Sequence, residues 1–280
     1  MHTSVVEIFE RKSIKNAFEI IETKSIKNAF EIITLPNPQK RILYYLHLHK
    51  CGGTSFCKTA RLNGEQGNFK DNCNVQPDQR CCGKIDTIED QIAFAKKTSY
   101  SVVANEQYMM NDMVHSHYRY VTSLRSAKAR YLSHYRHANP RDSYNVWLRS
   151  QPDNWNTRHI CGTRCVQRPQ LYITRADFDY TLKRLRNFDN VLFLDDWNAT
   201  FNQLASKIGW KPWKNNMYSN RQRGKLTTIE AEDYRFYVLD DALIQAYKTG
   251  NHTIEHNWQT YDSGNKRKCT NPCCGICSKY

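Results

Sequence analysis

This chain is short of the features that most quickly assign a protein. No stretch of its 280 residues approaches the roughly 20 consecutive apolar positions that a bilayer-spanning helix needs. Its first residues lack a basic region, an apolar core and a cleavage site in sequence, so no secretory leader is expected there. Glycine and proline are scarce, at 11 and 8 residues, which excludes a collagen-like or low-complexity chain. Nucleic-acid-binding signatures of the zinc-finger, RRM and helix-turn-helix kinds are missing. Missing too is the usual phosphate loop GxxxxGK[ST]. Acidic residues are the minority charge, 27 against 41 Lys and Arg, and the net charge of +14 favours anionic partners.

What is present describes a globular protein. Hydrophobic residues make up 40%, enough for a sizeable core in one medium-sized domain with extensions. Eleven cysteines are many for a reducing compartment. Cys81 and Cys82, Cys161 with Cys165, and Cys269, Cys273, Cys274 and Cys277 read as disulfide partners in an oxidising lumen. Zinc is the alternative for the last four. An odd total leaves one thiol over, and Cys51 is the expected one. Asn198-Ala-Thr and Asn251-His-Thr are glycosylation sequons that fit the same compartment.

The N-terminal region repeats itself. KSIKNAFEII occupies Lys12–Ile21 and again Lys24–Ile33, a period of twelve. Each copy carries a one-sided apolar stripe. At about 100° per residue, twelve residues turn the second stripe by roughly 120° from the first. One helix therefore cannot lay both on a flat surface. Residues 1–36 are expected to form a duplicated amphipathic helical arm, with a membrane-surface helix as the second reading. Leu35-Pro36-Asn37-Pro38 ends it.

The most informative stretch is Ile42–Arg61, ILYYLHLHKCGGTSFCKTAR. An apolar, aromatic run predicts a buried strand. Gly52 and Gly53 then permit a sharp turn and close approach to a ligand. Thr54 and Ser55 sit where a helix start offers unpaired N–H groups and a positive dipole end, with Lys50 and Cys51 at the mouth. This segment suits a phosphate-like anion. Further on, Tyr118–Tyr135 predicts a strand followed by a helix, with Arg125, Arg130, Ser133 and Tyr135 spaced R-x4-R-x2-S-x-Y. Strands alternate with helices, which predicts an α/β fold with a parallel sheet flanked by helices.

These two elements resemble those of the carbohydrate sulfotransferases of Golgi type, which use 3′-phosphoadenosine 5′-phosphosulfate (PAPS). Lys-x-Gly-Gly-Thr-Ser after a strand is similar to their 5′-phosphosulfate loop. The Arg125–Tyr135 spacing looks like their 3′-phosphate element, RDPxxRxxSxY, with Ser126-Ala127 in place of Asp-Pro. NWNTRHICG at Asn154–Gly162, the LKRLRNF–VLFLDDW pair and LDDALIQAYK are weaker matches, so the likeness runs from Arg41 to Tyr247.

The resemblance implies a P-loop-like domain over residues 37–262, with residues 263–280 as a cysteine-rich tail. It implies transfer of a sulfuryl group from PAPS to a glycan, proteoglycan or glycolipid hydroxyl, without a metal. Lys50, Cys51, Gly52, Gly53, Thr54, Ser55, Arg125 and Ser133 would hold the donor, and Lys50 would neutralise the leaving phosphate. Glu106, after a short strand at Ser101–Ala104, is the expected base, its pKa raised; His115 and His117 are the alternatives, and His47 and His49 lie near the loop. Arg158 and His159 are expected to meet an acidic acceptor. The implied compartment is the secretory pathway, at the Golgi lumen. Family members carry a membrane anchor that has no counterpart in these residues, which leaves open how this chain reaches the lumen and whether it touches a membrane. The partners expected are an anionic nucleotide and a glycan, not nucleic acid. A P-loop kinase, with Asp195-Asp196 as metal ligands, and a non-catalytic basic protein for anionic glycans are the competing readings.

Overall fold

A computed structural model describes residues 41–74, 87–109, 112–212 and 234–250. The duplicated arm, Cys81 and Cys82, the Asn251 sequon and the residues 263–280 lie outside the described residues. Among the described residues, no helix is long and apolar enough to cross a membrane.

Four strands form one parallel sheet in the order β2-β1-β3-β4: β1 Ile42–Leu46, β2 Val102–Asn105, β3 Tyr118–Leu124 and β4 Asn190–Phe193. The helices are α1 Gly53–Leu62, α2 Ile88–Lys97, α3 Ala127–Ala138, α4 Tyr144–Ser150, α5 Trp155–Cys161, α6 Thr163–Val166, α7 Arg175–Arg186, α8 Trp197–Ile208 and α9 Val238–Thr249. The expected α/β class and the parallel sheet with flanking helices are both found.

β1 is buried on both faces because both are covered, as a parallel sheet requires. Its side chains alternate between two cores. Ile42, Tyr44 and Leu46 pack with Ile160 of α5, Phe178 and Leu182 of α7 and Leu243 of α9. Leu43 and Tyr45 pack with Phe56 and Ala60 of α1 and with Trp197 and Phe201 of α8. A third cluster joins α3, α4 and α5 through Tyr131, Trp147 and Trp155.

The register sets the place of the site. Leu46 pairs with Asn105 of β2 on one side and with Thr122 of β3 on the other. Residues that follow β1, β2 and β3 therefore emerge at one edge of the sheet. The chain leaves β1 for β2 on one side, then crosses to β3 on the other. The crevice between the carboxyl ends of β1 and β3 is thus the topological switch point, where open α/β sheets gather ligands.

α9 finishes two helices from a distance. Asp240 accepts the N–H groups of Asn156 and Thr157 at 2.9 and 2.7 Å, and the Thr157 hydroxyl at 2.8 Å, which caps α5. Asp241 accepts the N–H of Ala127 at 2.9 Å and caps α3, whose own Ser126 side chain makes no capping bond. Two disulfides brace the fold, Cys57–Cys73 and Cys161–Cys165. The second was expected; the first ties α1 to the loop after it. Both suit an oxidising compartment.

Candidate anion site at the switch-point crevice

The loop after β1 is held open by backbone geometry. Lys50 and Gly52 both have positive φ, 66° and 95°, so the chain turns back between them. A Cβ on Gly52 would stand 3.0 Å from Leu194 and 3.1 Å from Trp197 in an already unfavourable conformation. A Cβ on Gly53 would fall 1.8 Å from the Nε2 of His47, so only glycine fits over that imidazole. Ser123 of β3 pins the loop by donating its hydroxyl to the Cys51 carbonyl at 2.6 Å.

α1 begins at Gly53 with no side-chain cap and no acidic residue in its first turn. Its positive dipole end is therefore not neutralised by the helix itself. Thr54 is half-buried and Ser55 buried at this start. Lys50 stands beside it, its pKa lowered by burial and by Arg125, with Glu106 opposing. Cys51 is a buried free thiol, as expected, near the His49 carbonyl and the Asn156 side chain. Burial pushes it up to about 12, so it stays a neutral thiol.

Arg125 follows β3 directly and reaches the loop, Nη1 donating to the Lys50 carbonyl at 3.5 Å. Ser133 lies half-buried on α3, the helix that Arg125 introduces. Arg130 of the same helix is 0% exposed, stacks on Tyr131 at 3.7 Å and on Trp155 at 4.9 Å, and among the described residues none of its guanidinium nitrogens has a hydrogen-bond partner. Asp195, which follows β4, accepts the Ser126 N–H at 3.3 Å. That contact commits this carboxylate to the start of α3, which weakens its case as a metal ligand. Cys161, Cys165 and Asp177 also lie within metal-binding distance of one another, but the two sulfurs are joined and Asp177 is held by Arg164 and Arg168.

Glu106 emerges from β2 on the expected edge, and its chemistry differs from expectation. Burial pushes its pKa up, but a hydrogen bond with His49, the charges of His47 and His49 and a hydrogen bond from Asn74 outweigh that, leaving it at about 2. It is a fixed carboxylate, a weak proton acceptor. His49 Nδ1 lies 2.9 Å from Glu106 Oε1, His47 Nε2 lies 3.8 Å from the same oxygen, and Asn74 donates to Oε2 at 3.3 Å. His47 is buried beneath Gly53, with its pKa lowered chiefly by burial.

Four expected site residues are not brought here. His115 and His117 precede β3, at the opposite edge of the sheet from Arg125. The six steps along β3 put them about 20 Å from the loop. There His115 pairs with Asp189 at 3.6 Å, and the His117 carbonyl accepts the Ile42 N–H at the start of β1. Arg158 and His159 are inside the protein. Arg158 spends its donors on the Asp153 carboxylate (2.6 Å) and on the carbonyls of Asp153, Cys165, Arg168 and Pro169, so none remains for an acceptor. His159 stacks on Trp155 and bonds its carbonyl, and burial lowers its pKa to about 3. Both hold architecture.

Two features went unread in the sequence. The His49–Glu106 pair needs the β1–β2 register to be seen. The orphaned Arg130 was visible as part of the arginine spacing, but nothing in a sequence marks an arginine as buried and unpaired. Comparison with protein families and with curated proteins finds no match to this chain.

Proposed function

We propose that this chain transfers a sulfuryl group from PAPS to a carbohydrate hydroxyl. One observation carries the reading: Lys50 with its glycine loop, and Arg125, distant in sequence, meet across the crevice between adjacent parallel strands. A donor carrying a 5′-phosphosulfate and a 3′-phosphate needs two cationic points on one P-loop-like scaffold. The uncapped start of α1 would cradle the 5′ group through backbone N–H groups and the Thr54 and Ser55 hydroxyls. Arg125 would fork onto the 3′-phosphate, with Ser133 adding a hydroxyl. Lys50, held at the loop mouth, would neutralise charge on the bridging oxygen as the S–O bond breaks.

The positive charge of the crevice suits an anionic donor but leaves the acceptor sugar open. Disulfides and the exposed Asn198 sequon fit a lumenal enzyme, for which the Golgi is the proposed site. The test is isothermal titration with 3′-phosphoadenosine 5′-phosphate (PAP), beside Lys50→Ala and Arg125→Ala. Wild type is expected to bind at micromolar level and ATP far more weakly. Arg125→Ala should lose ten- to a hundredfold in affinity. A folded protein that ignores PAP would overturn the reading and leave a basic glycan-binding protein in its place.

A further inference from the structure

A partly exposed stretch of the crevice holds a pair that the donor does not need. His49 sits between the end of β1 and Lys50, and its side chain is 25% exposed, open to a ligand arriving from solvent. Its Nδ1 faces Glu106 at 2.9 Å. An ionised carboxylate only accepts hydrogen bonds, so Nδ1 carries a proton, and in the neutral imidazole the lone pair is then on Nε2. Among the described residues, Nε2 of His49 has no protein partner. The carboxylate is itself fixed, by Asn74 on its other oxygen. Asn74 is in turn fixed by its neighbour Cys73, joined to α1 by a disulfide, and by its bridge to Ala104 of β2.

We propose that His49, oriented by Glu106, is the general base that takes the acceptor hydroxyl's proton, and that Glu106 is a positioning residue acting through it. This rests on the sulfotransferase reading above. As the acceptor oxygen bonds to sulfur, its proton passes to Nε2 of His49. The bond between sulfur and the bridging oxygen breaks, and its electron pair leaves on the PAP phosphate beside Lys50. Products are the sulfate ester, PAP and an imidazolium that returns its proton to water. No electrons are exchanged with a third group.

The other candidates are placed less well. His47 is sealed under Gly53. His134 of α3, whose ring centre is 4.6 Å from that of His49, is buried and its pKa is lowered to about 3 by burial and by the neighbouring charges of His49, Arg130 and Lys50. His137, 6.1 Å away, is turned out at the end of α3. The groups that face His49 are therefore Glu106 and His47 from the sheet edge, Lys50 from the loop, and His134 and His137 from α3, with the Trp155 ring on α5 as the apolar side.

Transfer to water needs no glycan, so the assay is PAP release from PAPS by the full chain, with PAP affinity titrated alongside. His49→Ala and His49→Gln should lose about a hundredfold or more in release rate, the scale of a missing general base. Their PAP affinity should stay within about threefold. Added imidazole should restore part of the rate to His49→Ala, which a structural role would not allow. The wild-type rate should fall on acidification, and the residual rate of His49→Ala should not. Glu106→Gln should lower kcat about tenfold with KM for PAPS unchanged, and His117→Ala should change nothing.

A His49→Ala variant that binds PAP and releases it at the wild-type rate overturns the proposal. So does a wild type that binds PAP but never turns PAPS over. Loss of PAP binding by wild type instead sinks the sulfotransferase reading, and the base with it.

Discussion

Arg158 and Arg130 are buried to nearly the same degree, 3% and 0% exposed, on neighbouring helices. Around Arg158 every donor has an acceptor, and the carboxylate of Asp153 balances its charge. Around Arg130 there are two aromatic faces and, among the described residues, no hydrogen-bond partner for its guanidinium, though its charge is felt at Asp240. A buried guanidinium costs several kcal/mol unless it is paired. Hydrogen bonds and a carboxylate meet that cost at α5; at α3 two aromatic faces and the charge of Asp240 offset it instead. The difference separates a guanidinium whose every donor is engaged from one whose donors are left open.

The comparison is broken or sharpened first at Arg158. Arg158→Met leaves Asp153 as an unpaired buried charge and strands four carbonyls. A loss of about 3–5 kcal/mol in unfolding free energy is expected, read from denaturant midpoints. A loss below 1 kcal/mol would mean that the network is ornamental.

Acid probes both regions together. His159 on α5 and His134 on α3 each have a pKa lowered to about 3, by burial first. Below pH 6.5 the unfolded chain binds protons at these positions and the folded chain does not, so both destabilise the fold as pH falls from 6.5 toward 3. Asp240 opposes them. Its burial raises its pKa to about 6, so the folded state takes up a proton first and gains stability as pH falls from 6 toward 4. Each such shift is worth up to roughly 1.4 kcal/mol per pH unit across its window, and His47, also lowered chiefly by burial, adds to the histidine side. His159→Gln should flatten the stability-versus-pH slope by up to roughly 1.4 kcal/mol per pH unit in denaturant titrations at pH 6, 5 and 4. An unchanged slope would show that His159 is not held neutral.

The smallest effect on stability is expected at Arg130. Arg130→Met removes a charge offset by Asp240 and by two aromatic faces, and keeps apolar contact with Tyr131 and Trp155. Stability should move by about 1 kcal/mol or less, in either direction. A destabilisation matching that of Arg158→Met would erase the contrast between the two regions.

The same contrast explains what a sequence can tell. Local patterns were legible: the β1 run, the glycine turn, α3 after its arginine, and the pairing of Cys161 with Cys165, four residues apart across the Gly162 break between α5 and α6. So was the spare thiol at Cys51. What depends on register was not. Glu106 meets His49 because β2 lies beside β1 in one alignment and no other; a slip of one residue would send it to the far face. His115 and His117 were misjudged because a strand's length sets which edge its flanking residues reach. Arg158 was misjudged because its partners are mostly main-chain carbonyls, which any residue supplies and no motif records.

The capping of α3 and α5 by Asp241 and Asp240 has a consequence for synthesis. Every proposed donor contact has left the ribosome by Ser133, yet the carboxylate that caps α3 follows Ala127 by 114 residues. At a translation rate of about 5–20 residues per second, that is a wait of several seconds or more with the helix starts bare. A chain cut short before Val238 would own each of those contacts and lack the carboxylate that caps the Ala127 N–H of α3. On the proposed reading, competence for the nucleotide would arrive late in synthesis, with a helix outside the proposed donor contacts.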